Sequence, residues 1–167
     1  MSWSDRRTVL RAGALAAAFG LGGCFRPMLA EDAPARRLRG LVALPELDSR
    51  FGYFLRQGLE ERLGAPEAPR WRLEIDATLN EDDLAITPDS AITRKSLTAR
   101  ADYRLLPLAG GAPVLEDSVV SQSGYNATGS LYATRAVARD TEERLARDLG
   151  LRIARQVLAA ADRLERS

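Results

Sequence analysis

Trp71-Arg72-Leu73-Glu74-Ile75-Asp76-Ala77-Thr78-Leu79-Asn80 is the stretch that decides the fold. Apolar residues at 71, 73, 75, 77 and 79 alternate with polar ones at every position between. A period of two puts the apolar set on one face of a half-buried strand. A second alternating run follows from Thr93 to Leu106. There Leu97, Ala99, Ala101, Tyr103 and Leu105 face one way, and Ser96, Thr98, Arg100, Asp102 and Arg104 face the other. Glu81 to Ala91, acidic and containing Pro88, reads as the connection between them. Pro107 to Pro113, with Gly110 and Gly111, reads as a hairpin connection, after which Val114 to Ser123 pairs back as a third meander strand.

Upstream of the meander, Phe51, Phe54, Leu55, Leu59 and Leu63 fall at helical spacing. They predict an amphipathic helix over Ser49 to Leu63, with Asp48 as its N-cap and Gly64 and Pro66 ending it. Gly52 and Gly58 weaken that helix on propensity alone. Before it, Leu38 to Leu44 is a short apolar run stopped by Pro45 and reads as a buried strand, with Gly40 its weak point. Downstream, Ser121 to Ser130 is polar, and the helical period returns at Leu131 and runs to about Leu164. Leu145, Leu149, Ile153, Val157, Ala161 and Leu164 form its apolar stripe, and Gly150 marks a bend. The order is β-α-β-β-β-α. It predicts an α+β two-layer sandwich: a four-stranded, mostly antiparallel sheet with two helices on one face. A parallel pairing of the first two strands would require a crossover connection.

The N-terminus has a different character. Arg6, Arg7 and Arg11 precede Ala12 to Gly23, a run of small and apolar residues that ends at the sole cysteine, Cys24. The run is too short for a bilayer span, which takes about 20 apolar residues, but suits the h-region of an export signal. Leu21-Gly22-Gly23-Cys24 resembles a bacterial lipobox, which predicts cleavage before Cys24 and acylation of that residue. Two or more acyl chains give durable membrane anchoring where one does not. An ordinary cut after Ala30 is the competing reading, but Met28 stands where that pattern wants a small residue. Asp5 to Arg11 also resembles a twin-arginine export motif. The chain therefore divides into a signal at 1–23, a lipidated N-terminus and linker at 24–37, and one domain at 38–167.

Composition narrows the function. The formal net charge is +1, which argues against bulk binding of nucleic acid. The chain has no histidine and one cysteine, so no Ser/His or Cys/His pair, no Cys-cluster zinc site and no internal disulfide can form. We expect no catalytic residue, no metal and no cofactor. Glu81-Asp82-Asp83 with Asp89 could supply carboxylates to Ca²⁺, but the spacing matches no calcium-loop pattern and reads better as a solvated turn. Asn126-Ala127-Thr128 is a sequon by pattern and, behind a bacterial-type signal, reads as a turn. Tyr125 and Tyr132 flank that loop and could pack on a partner or cap the core.

Several stretches in order along the chain carry a resemblance. They are Gly23-Cys24-Phe25-Arg26-Pro27-Met28, Trp71 to Ile75, Thr93 to Leu105, Ser123-Gly124-Tyr125-Asn126, and Leu131-Tyr132-Ala133 leading into Ala138 to Arg144. Together they resemble the LptE family of lipopolysaccharide-assembly lipoproteins in its alphaproteobacterial form. The family often places a glycine after the cysteine; here Phe25 follows directly. The resemblance implies a non-catalytic outer-membrane lipoprotein facing the periplasm, plugging an LptD-like β-barrel and contacting lipopolysaccharide. Lipid phosphates need Arg or Lys donors. Arg94 and Lys95 are the best cluster, with Arg100 and Arg104 on the same strand; ordinary solvated strand charges are the plain alternative. Two other functions compete. One is an auxiliary lipoprotein of an envelope ABC-type lipid transporter, which an apolar groove between helix and sheet would favour. The other is a carboxylate hydrolase, which needs a deep cleft with two facing acids.

Overall fold

A computed structural model describes residues 34–86, 92–127 and 130–164. The signal, Cys24, Asp89 and Thr128 lie outside the described residues. In chain order the elements are α1 (Pro34–Arg37), β1 (Val42–Ala43), α2 (Arg50–Leu63), β2 (Trp71–Ile86), β3 (Ile92–Pro107), β4 (Leu115–Asn126), α3 (Leu131–Ala159) and α4 (Ala161–Leu164). The sheet order is β1-β2-β3-β4. β1 runs parallel to β2, with Val42 opposite Trp71, and β2-β3-β4 is the antiparallel meander. The α+β sandwich and its β-α-β-β-β-α order stand, with two short helices added at the ends of the domain.

The alternation in β3 works as read. Leu97, Ala99, Ala101, Tyr103 and Leu105 are buried against the helices, while Arg100, Asp102 and Arg104 are exposed on the far side. The C-terminal stripe is equally faithful: Leu145, Leu149, Ile153 and Val157 of α3 and Ala161 and Leu164 of α4 are all buried. Leu55, Leu59 and Leu63 of α2 complete the core with no exposed surface. Burying a leucine side chain stabilises by about 1.5–3 kcal/mol relative to leaving it in water, so this layer is the main source of stability.

Several expectations are corrected. The run Leu38–Leu44 is not a strand of its own length. It forms a turn after α1 and leaves only Val42–Ala43 in the sheet. Gly40, at φ +76°, donates its N–H to the Leu63 carbonyl, which takes the backbone out of the extended region. The domain also starts earlier than Leu38, because Ala35 in α1 is already buried in the core. Ser49, not Asp48, caps α2: its Oγ accepts from the Gly52 N–H at 2.9 Å. The acidic stretch read as a connection continues β2 as far as Ile86. Glu81 and Asp83 are tolerated because one cation lies across the ladder: Lys95 stands opposite Asp83 in register and pairs with both. β4 likewise runs past Ser123 to Asn126, where Tyr125 is buried.

Glycines in the two long helices have a packing role. A Cβ on Gly58 would lie 2.3 Å from the Arg147 carbonyl oxygen, and one on Gly150 would lie 2.2 Å from that of Leu55. α2 and α3 therefore cross backbone against backbone, and the two glycines make that approach possible. Beside the crossing, Arg147 donates to Gln57 at 2.8 Å, and its guanidinium sits 5.9 Å from the Phe54 ring centroid. Arg50 approaches the same ring at 5.2 Å, so the half-buried Phe54 is held between two cations.

Candidate functional site

β3 carries the basic residues that the sequence singles out, and strand parity splits them. Arg94, Arg100 and Arg104 share the outer face of the sheet. Lys95, one residue along from Arg94, lies on the helix side. At about 3.3 Å per residue, Arg94 and Arg100 stand roughly 20 Å apart and Arg104 a further 13 Å or so on. The three arginines cannot converge on a single phosphate.

Their partners differ too. Arg100 binds Asp102 at 2.6 Å, and this pairing lowers the Asp102 carboxyl below its ordinary range. Arg104 reaches Glu74 at 3.3 Å and sits in register between Glu74 on β2 and Glu116 on β4. Arg94 has no ion pair among the described residues; its guanidinium lies beside Gly124 of the neighbouring strand. The outer face thus holds one loosely placed arginine at one end and a mostly acidic region at the other. There Glu74, Asp76, Asp102 and Glu116 surround Arg104 in an open depression of about 520 Å³. Contiguous sequence conceals this acidic region because its members come from three strands. The register Glu74–Arg104–Glu116 and Asp76–Asp102 is what assembles it.

Lys95 belongs to a separate cluster. Its Nζ lies 2.6 Å from Glu81 Oε1 and 3.4 Å from Asp83 Oδ1. Tyr125 donates its hydroxyl to the other Glu81 oxygen at 2.7 Å. The Glu81 carboxyl is lowered, first by the hydrogen bond from Lys95 and then by that from Tyr125. Burial, followed by the Glu81 carboxylate, pushes the Tyr125 phenol up to about 12. This arrangement closes the end of the core and ties β4 to β2 across β3. It also bears on the calcium reading, whose fourth carboxylate, Asp89, lies outside the described residues. Glu81 and Asp83 face the helix side and are engaged by Lys95, while Asp82 alternates to the outer face. Among the described residues no group of His, Cys, Asp or Glu is placed to hold a metal ion.

The two tyrosines of the polar loop part company. Tyr125 caps the core, whereas Tyr132, in the first turn of α3 after the N-cap Ser130, is 86% exposed. Leu131 and Val137 on the same turns are exposed as well. Asn126 ends β4. The interface between sheet and helices is filled rather than grooved: Leu73, Tyr103, Leu149 and Ile153 are all at or near full burial. Tyr103 also donates to Gln156 of α3 at 2.8 Å, a polar lock between the layers, and burial pushes its phenol up to about 12.

Known structures share this arrangement. A protein of Caulobacter crescentus CB15 assigned as a lipoprotein superposes with a TM-score of 0.62 at 19% identity, covering 77% of this chain and 96% of that one. The chain has the fold of a bacterial lipoprotein domain. A minor lipoprotein from Acinetobacter baumannii aligns with a TM-score of 0.55 at 14% identity, over 71% of this chain and 88% of that one. Rare lipoprotein B from Shewanella oneidensis aligns with a TM-score of 0.49 at 14% identity, over 74% of this chain and 93% of that one. No family model matches the sequence, and no curated protein matches it significantly. No helix among the described residues is long and apolar enough to cross a membrane.

Proposed function

We propose that this is a non-catalytic outer-membrane lipoprotein of LptE type, anchored through an acylated Cys24. In this reading it plugs and helps assemble an LptD-like β-barrel and takes part in moving lipopolysaccharide to the cell surface. The observation that carries the reading is the sandwich shared with the Caulobacter lipoprotein, standing behind a lipobox in the same chain. The outer sheet face supports it. That face is charged, mixed in sign and free of any broad apolar patch, which suits the polar interior of a barrel. For an anionic ligand, Arg94 is the best placed of the basic residues, because Arg100, Arg104 and Lys95 already have carboxylate partners.

The transporter-subunit alternative asks for an apolar groove between helix and sheet, and the filled interface weighs against it. A hydrolase asks for a carboxyl held protonated in a cleft. The outer-face acids lie in an open depression, and Asp102 is shifted towards its charged form.

The deciding experiment is purification of the lipidated protein from native membranes in mild detergent. Stoichiometric recovery of a large outer-membrane barrel is the expected result; a free lipoprotein with no barrel attached would exclude the reading. Lipopolysaccharide binding is then compared between the parent and Arg94→Glu. Equal binding would remove Arg94 from the ligand surface and return the strand charges to a solvating role.

A further inference from the structure

Leu105 to Leu115 is a run of eleven residues with no polar side chain. Leu105 is buried, and Leu106, Val114 and Leu115 are half-buried, so core packing accounts for both ends of the run. Its middle has no such use. Leu108 to Pro113, the connection between β3 and β4, is exposed throughout. A Cβ added at Gly110 or Gly111 would meet nothing within 4 Å, so the tip projects clear of the domain. Connections that face water ordinarily carry Asn, Asp or Ser beside their glycines. This one carries Leu, Ala and Pro in those places.

Backbone hydrogen bonds fix where the tip stands. Leu108 donates its N–H to the Arg70 carbonyl at 2.9 Å, and Arg70 donates its own to the Leu41 carbonyl at 2.8 Å. With strands about 4.8 Å apart, the hairpin starts roughly 10 Å from the turn that follows α1. The chain enters the domain through α1, and nine residues separate Pro34 from Cys24. An acyl anchor on Cys24 would therefore stand at the same end of the molecule as the hairpin. Trp71, half-buried, lies opposite Pro107 in register, and Arg70 beside it is exposed with no ion pair among the described residues. An aromatic ring and a free cation next to an apolar tip are the residue types found at the level of lipid headgroups. The acids nearby set a limit on depth. Glu116 follows directly on Leu115, and Glu67 is exposed on the connection before β2, so only the tip can enter an apolar layer.

We infer that the hairpin tip, Leu108 to Pro113, rests in the headgroup layer of the membrane that holds Cys24, as a second lipid contact beside the anchor. This rests on the acyl-anchor reading. So small an apolar tip binds lipid weakly by itself. Tethered close to the surface, the contact becomes intramolecular, and weak adhesion suffices. Two points of attachment set the tilt of the sheet, whereas a single flexible tether leaves the domain free to turn.

The test uses protein purified from membranes, with its acylation read by intact mass. It is reconstituted in vesicles of phosphatidylethanolamine and phosphatidylglycerol whose acyl chains are brominated near the headgroup. With Trp3 removed in the signal, Trp71 is the native emitter. Leu108→Trp should lose emission to the brominated chains roughly twofold beyond the parent, and Tyr132→Trp, at the opposite end, should show no loss beyond the parent. Adding Ala112→Glu to Leu108→Trp should remove most of the extra loss. All three positions are exposed, and near-ultraviolet circular dichroism checks that each variant keeps its fold. An acylated protein with no extra loss in Leu108→Trp would overturn the inference and leave the anchor standing. A chain shown by mass to be unacylated would overturn both. No extra loss in vesicles, together with loss of a co-purifying barrel in Leu108→Glu, would also overturn it and give the hairpin to a protein surface instead.

Discussion

Gly150 of α3 lies directly against the carbonyl oxygen of Leu55 in α2, and Gly58 of α2 lies against that of Arg147 in α3. The contact is reciprocal and made by backbone, so neither side can yield by turning a side chain. Gly150→Ala pits two effects against each other. Alanine improves helix propensity by about 1 kcal/mol. Forcing a methyl group into a close-packed crossing costs typically about 1–3 kcal/mol, and here the obstacle is main chain. We expect a net loss of about 1–2 kcal/mol, seen as a lower midpoint in chemical denaturation. An unchanged or raised midpoint would mean that the helices separate easily.

At alkaline pH, Tyr103 and Tyr125 dominate. Both phenols are raised from 10.0 to about 12 in the folded protein. Below the unfolded value both states keep the proton and stability is at its full level. Between there and the folded value the unfolded chain loses protons first, so stability falls. Thermal melts across that window should show a declining midpoint. A double variant, Tyr103→Phe with Tyr125→Phe, should flatten the decline while starting from lower stability, because the hydrogen bonds to Gln156 and Glu81 are gone.

At acid pH the sign reverses. Glu81 is lowered from an ordinary value of 4.5 by Lys95 and Tyr125, so its contribution is present above that value and disappears as pH falls through the folded one. Glu81→Gln should be less stable than the parent near neutrality and converge with it in acid. A gap between the two that stays constant with pH would show that the charge of Glu81 contributes nothing.

The proposed lipid anchor turns on one atom, the Cys24 sulfur. Cys24→Ser should release the exported protein into the soluble fraction, and intact mass of the parent should show acyl additions on an N-terminal cysteine. A mature chain starting at Glu31, or an unmodified thiol, would refute lipid anchoring.

Much of this architecture is legible in one dimension. The α3 stripe and the β3 alternation are properties of single segments, and the buried residues are those the periods select. The extension of β2 was hidden because Glu81, Asp82 and Asp83 look like loop residues until their cross-strand partners are known. Lys95 is the cation that lets them lie in a strand, and only the register reveals it. The basic cluster misled for a related reason. Arg94 and Lys95 are neighbours in sequence, and for that very reason they point to opposite sides of a pleated sheet. Glycines at the helix crossing carry no signal within their own helix; Gly58 and Gly150 explain each other only once the two helices are paired.

The placement of α1 fixes an orientation. Pro34–Arg37 packs against the end of α3 and against α4, with Ala35 and Leu38 buried there, so the chain enters the domain at the pole where its last helix finishes. From an acylated Cys24 to Pro34 the backbone reaches at most about 35 Å when fully stretched. Under the proposed lipid anchor, that short leash would keep this pole near the bilayer. β2 and β3, each 16 residues long, run away from it for about 50 Å. With the proposed anchor in place, the far end, with Tyr125, Glu81 and Lys95, stands at arm's length from the lipid surface and meets what comes to it from outside the leaflet.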